Sequence, residues 1–142
     1  MMRPAGMRLP CPAEELIPHR RTMLLVDSLL ACDPESGRGR VAAGARVAPV
    51  FVAEAERLAE VVLLEMMAQA YACLQGYRDR LAGRAPGLGF LVGVRRFSCM
   101  RKAFGGEALE VESRSRPRPG WMIFSWSRPG SRRGRKPWPQ PN

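Results

Sequence analysis

The stretch Val61 to Tyr77, VVLLEMMAQAYACLQGY, decides how the rest of the chain is read. It has the length and composition of a buried helix, and a carboxylate, Glu65, stands in its middle. On a helical wheel Leu58, Val61, Val62, Ala68, Gln69 and Ala72 surround Glu65, while Leu63, Met67 and Leu74 lie opposite. A helix apolar on every side is expected to be covered on every side. A carboxylate buried without partners is costly, so it normally takes up a proton or finds a hydrogen bond or an opposite charge. Ala68 and Ala72, one and two turns on, leave room beside Glu65 for a bound molecule. The plainer alternative is an acid that pairs with an arginine such as Arg20 or Arg96.

Working outward, the helical pattern can be drawn back to about Ala53. It is too long for one small domain, so a break is expected near Arg57 to Ala59, with an irregular acidic segment before it. The helix ends at Gly83, with Arg78 and Arg80 in its last turn, where positive charge suits the helix dipole. Upstream, MLLVDSLLACD (Met23 to Asp33) and GRVAAGARV (Gly39 to Val47) read as two strands joined through the turn-rich DPESG. Downstream, GFLVGVRRFSC, ALEVESRSR and GWMIFSWS read as three more. The order strand, strand, helix, strand, strand, strand predicts an α+β domain: an antiparallel sheet packed on one central helix.

The whole sequence of 142 residues suits a single domain over residues 1–126, followed by a Pro/Arg-rich tail over 127–142 that is expected to be disordered. The net charge of +10 is concentrated late: residues 114–142 hold eight basic groups and no acid, leaving 15 basic and 13 acidic groups before them. The body is therefore nearly neutral, and nucleic-acid binding through the tail ranks last among the functions considered. Glu65, Gln69 and Gln75 argue against a membrane span. MMRPAGMRLPCP lacks the apolar centre of a signal peptide, so a cytoplasmic location is expected. Cys11, Cys32, Cys73 and Cys99 are too widely separated for zinc or redox motifs, and reduced thiols are expected. His19 is the only histidine. No metal site is expected, and any chemistry that needs an imidazole has one candidate. A histidine near neutrality and a desolvated carboxylic acid form a pair suited to removing one proton and delivering another.

The blocks LIPHRRTMLLVD, LLEMMAQAYACLQGYR, GFLVGVRRFSC and ALEVE, in this order over about residues 14–112, resemble the hotdog-fold 3-hydroxyacyl-(acyl-carrier-protein) dehydratases, most closely the ApeP-like branch of aryl-polyene gene clusters. The resemblance implies a curved antiparallel sheet wrapped around a central helix, two subunits sharing active sites, and an acyl carrier protein as partner, with the substrate carried on its phosphopantetheine. The reaction implied is reversible loss of water from a 3-hydroxyacyl thioester, giving a 2-enoyl thioester, in fatty-acid or aryl-polyene-type biosynthesis. His19 would remove the proton next to the thioester and Glu65 would protonate the departing hydroxyl. Ala68, Gln69, Gly89, Phe90 and Gly93 would line the substrate, with amides near Gly89 or Gly93 steadying the oxyanion. No cofactor of the chain's own is implied.

The chain departs from the family pattern at three places. The Gly-His-Phe-Pro-Gly segment of the fatty-acid dehydratases is replaced by PVFVAEAERLAEVV, and a Leu-Pro-x-Trp stretch by Leu58, Ala59, Glu60 and Val61. The similarity fades after about Trp126, where RPGSRRGRKPWPQPN has four prolines and too little alternation to complete a sheet. Two alternatives follow: a non-catalytic hotdog partner of an active dehydratase, and an acyl thioesterase on the same scaffold; the assembly is expected to be a homodimer or a heterodimer with another hotdog subunit. Arg20, Arg21, Arg95, Arg96, Arg101 and Lys102 are the candidates for a docking patch toward an acidic carrier protein.

Overall fold

The break ahead of the helix is where the chain turns most sharply. A computed structural model of the protein describes residues 8–33, 35–85, 102–115 and 122–130. In it Val52 and Leu58 face each other as an isolated bridge, the Ala53 amide donates to the Arg57 carbonyl at 2.6 Å, and Ala55 and Glu56 both take positive φ values, 57° and 59°. No helix can run through such a pinch, so α1 begins only at Glu60 and continues to Leu81. Its 22 residues span about 33 Å at 1.5 Å per residue.

The end of α1 follows from Gly83, which supplies the left-handed residue (φ 69°) that a helix needs to stop. The Arg84 amide then donates to the Asp79 carbonyl at 2.8 Å and the Gly83 amide to the Arg80 carbonyl at 3.1 Å. The Arg84 side chain folds back on the Asp79 carboxylate at 3.0 Å, closing the turn a second time.

Among the described residues, five antiparallel strands form one sheet in chain order: β1 (Cys11–Pro12), β2 (Val26–Asp33), β3 (Arg38–Ala43), β4 (Leu109–Ser115) and β5 (Met122–Ser127). The β2–β3 turn is held by Asp33, whose carboxylate accepts from the Glu35 amide at 3.1 Å and the Ser36 hydroxyl at 2.7 Å, and Gly37 again provides a positive φ. Alternation sets the faces. Val41 lies opposite Leu29 and Val111, and these residues with Leu109 meet Leu63, Met66, Leu74 and Tyr77 of α1 in the core. A Cβ on Gly39 would overlap the Leu74 side chain, so the helix and β3 approach as closely as they do because that residue is glycine. Arg38 and Arg40, on the other face of β3, pair diagonally with Glu112 and Glu110 of β4.

The strand bounds differ in places from those the sequence suggests. Met23, Leu24 and Leu25 are not strand; β2 starts at Val26. Strand β3 stops at Ala43 because Gly44 takes φ 88°. The two-residue β1 had no alternation long enough to be read. The segment GFLVGVRRFSC lies outside the described residues, as do residues 131–142, while β5 ends at Ser127, where the expected strand GWMIFSWS ends. Among the described residues, no helix is long and apolar enough to cross a membrane.

Candidate active site

His19 stands at the crown of an arch, residues 16–25, whose two feet rest on α1. The first foot follows a 3-10 turn (Ala13–Glu15) whose Ala13 carbonyl accepts from the Leu16 and Ile17 amides at 2.9 and 3.0 Å. Leu16 and Ile17 are buried, and the Leu16 carbonyl lies so close to the helix that a Cβ on Gly76 would come within 2.5 Å of its oxygen. The second foot is held by Gln69. Its side-chain carbonyl accepts from the Leu25 amide at 2.9 Å, and its amide nitrogen donates to the Met23 carbonyl at 2.7 Å and to Glu65 Oε1 at 3.0 Å. This explains why Met23 to Leu25, apolar enough for a strand, do not join one: their backbone groups are taken by a side chain of the helix.

Between the feet the imidazole reaches toward the acid. His19 Nε2 lies 3.9 Å from Glu65 Oε1, beyond hydrogen-bond length but within reach of small side-chain adjustments. Side-chain exposure is 33% for His19 and 42% for Glu65. His19 Nδ1 is buried and has no hydrogen-bond partner among the described residues. Among the described residues, the groups close to the Glu65 carboxylate are Gln69 and His19; no guanidinium meets it, and Arg20 instead turns to the carbonyls of Ile17 and His19.

The expectation of a helix covered on every side is corrected. Val62, Leu63, Met66, Gln69, Ala70, Cys73, Leu74 and Tyr77 are buried against the sheet. Val61 is 69% exposed and Tyr71 38% exposed, and Leu64, Glu65, Ala68 and Ala72 are only partly covered along the same side. Among the described residues the sheet covers one side of the helix, and a wheel records which residues are apolar without recording what covers them. Glu65 therefore sits at the boundary of the core. Farther along, the Tyr71 ring meets the Phe124 ring edge-on, 6.4 Å between centroids, joining the open side of α1 to β5.

The structure thus brings together His19, Glu65, Gln69 and Ala68. Gly89, Phe90 and Gly93 lie outside the described residues, as do Arg95, Arg96 and Arg101; Arg20, Arg21 and Lys102 are exposed. Gln69 was singled out as a residue lining the substrate, but it is 1% exposed and both ends of its amide are occupied by the arch and Glu65. The i to i+4 spacing of Glu65 and Gln69 was the available signal for their mutual contact; nothing local in the sequence announced the arch's backbone as the other partner.

Burial pushes the Cys73 thiol up to about 12 and the Cys32 thiol up to about 11, and raises Cys11 with help from Glu15, whose carboxylate accepts from the Cys11 thiol. These three cysteines are free, and at neutral pH they are thiols packed in the interior, poor nucleophiles compared with a thiolate. The open side of α1 carries an imidazole and a carboxyl group, an arrangement equipped for proton transfer.

An antiparallel sheet packed on one long helix is a hotdog-like α+β fold. The family model for the ApeP-like group, described as ApeP dehydratase, matches residues 11–125, and the chain belongs to that family. Among solved structures, the dehydratase heterocomplex ApeI:P from Xenorhabdus doucetiae is similar with a TM-score of 0.71 at 20% identity, over 87% of this chain and 84% of that one. Comparison with curated proteins gives no match.

Proposed function

We propose that the protein takes part, as a subunit of a hotdog assembly, in the reversible dehydration of a 3-hydroxyacyl thioester presented by acyl carrier protein, yielding a 2-enoyl thioester. The observation that carries this reading is the approach of His19 Nε2 to Glu65 Oε1 at 3.9 Å on the open side of α1. A three-carbon segment of substrate lying across both groups would place its acidic carbon toward the imidazole and its hydroxyl toward the carboxyl group. His19 then takes the proton from the carbon next to the thioester, and the electron pair of that C–H bond becomes the new double bond. As the C–O bond breaks, the departing hydroxyl receives a proton from Glu65 and leaves as water. Hydration of the enoyl thioester runs the same steps backwards. Gln69 contributes by holding the carboxylate to the arch, so the two proton carriers keep their separation. The carrier-borne acyl chain supplies the substrate, and no cofactor of the chain's own enters the steps.

A second reading has its own observation. Among the described residues, Val61 and Tyr71 are exposed and Leu64 only partly covered on an apolar side of α1, as in a subunit waiting for a partner, and the similar solved structure is a heterocomplex. In that reading the chain completes another subunit's site without doing chemistry. One experiment separates the two. The chain, alone and co-expressed with a hotdog relative, is given a 3-hydroxyacyl carrier-protein thioester, and enoyl product is followed by mass spectrometry. Glu65→Gln and His19→Ala are each expected to lower turnover by 100-fold or more, roughly the worth of a positioned acid or base. A complex that stays fully active with both substitutions makes the chain a scaffold, and release of free acid in place of enoyl product makes it a thioesterase.

A further inference from the structure

The arch that carries His19 has a difficulty at its crown. Pro18 has no amide hydrogen to offer, and the carbonyls of Ile17 and His19 need donors in a segment too short for a ladder. Both are served by one group. Arg20 Nη1 donates to the Ile17 carbonyl at 2.9 Å and to the His19 carbonyl at 2.8 Å, and the Arg20 carbonyl accepts from the Leu24 amide at 2.9 Å. Residue 20 is therefore tied to positions 17, 19 and 24 at once, on both sides of the histidine. Its side chain is exposed and is directed back to its own loop, not to Glu65. A surface arginine free to wander in water would not need this geometry. An Nη group with two hydrogens, one aimed at the Ile17 carbonyl two residues before the histidine and one at the histidine's own carbonyl, clamps the backbone that carries the imidazole.

We propose that Arg20 is a positioning residue for His19: by tying together the carbonyls of Ile17 and His19, it sets the backbone angle at which the imidazole faces Glu65. The proposal rests on the functional reading above, since it gives that histidine something to be positioned for. The ties that remain are the Leu24 amide to the Arg20 carbonyl and the two feet at Gly76 and Gln69; none of these three meets the Ile17 or His19 carbonyl, so the loss of the Arg20 side chain is felt at His19 without unfolding the domain.

Because His19 is the chain's only histidine, its imidazole gives one set of NMR signals in the full-length chain prepared without a histidine tag. In the native background, Glu65→Gln is expected to move the His19 Cε1–Hε1 signal. In Arg20→Ala that response should fall to a small fraction, and Arg20→Lys, which keeps a charged donor, should restore part of it. Arg20→Gln gives the same comparison should the alanine variant fail to fold. Dehydration by Arg20→Ala is expected to lose roughly 10 to 100-fold in kcat with little change in KM, the scale of a misplaced but intact catalytic group. An undiminished response of His19 to Glu65→Gln in both Arg20→Ala and Arg20→Gln overturns the proposal. If His19→Ala and Glu65→Gln leave turnover intact, the dehydratase reading fails instead, and the NMR comparison still decides whether Arg20 sets the imidazole.

Discussion

At the scale of single residues, Gln69 shows how one buried amide can organise a site. Its side chain joins the Met23 carbonyl, the Leu25 amide and the Glu65 carboxylate. Gln69→Ala removes three hydrogen bonds and leaves backbone groups of the arch without partners, at a cost of about 2–4 kcal/mol. Urea unfolding measures this directly, and a loss under 1 kcal/mol would mean that water replaces the amide easily. Cys73 offers a pH test. Its thiol is lifted from an ordinary 9.0 to about 12 by burial, with a smaller contribution from Cys11. The native state therefore holds the proton more tightly than the unfolded chain. The stability linked to this residue is complete below about pH 9 and is lost as pH rises toward 12. Cys73→Ala should flatten the alkaline arm of the stability curve between pH 8 and 10.5; parallel curves for the two proteins would contradict the assignment.

At the scale of elements, the close approach of α1 to the arch is set by Gly76. Alanine there would gain about 1 kcal/mol of helix propensity. It would also bring a Cβ within 2.5 Å of the Leu16 carbonyl oxygen, a backbone atom that cannot swing aside. The net expectation for Gly76→Ala is destabilisation by about 1–3 kcal/mol, read as a lower melting temperature. A rise would show that the Leu16 foot yields readily. Elements were also where the sequence was most readable. The break before α1, the glycine at its end and the alternation of β4 are consequences of neighbouring residues, which a sequence displays. The arch was not readable, because Met23 to Leu25 look like strand until the side chain of a residue 44 positions beyond Leu25 claims their backbone. His19 and Glu65 were singled out by their chemistry and by family resemblance; their separation in space, and the exposure of one side of the helix, depend on packing that no local pattern contains.

At the scale of the whole molecule, the near-neutral body and the open side of α1 matter most. Val61 touches so little of its own chain that Val61→Lys should change the stability of the isolated protein by no more than about 0.5 kcal/mol. The same substitution should weaken association with a second hotdog subunit at least 10-fold, because it sets a charge on an apolar contact surface. Sedimentation of the co-expressed pair reads the difference, and unchanged association would move the interface away from this side of the helix.

That bare strip also has a bearing on supply. Under the subunit reading proposed above, copies made in excess of the partner that shields Val61 and Tyr71 become clients for chaperones and targets for proteases, because cellular quality control reads exposed grease as damage. On that reading the amount of this protein that persists is governed less by its own synthesis than by the stock of its companion.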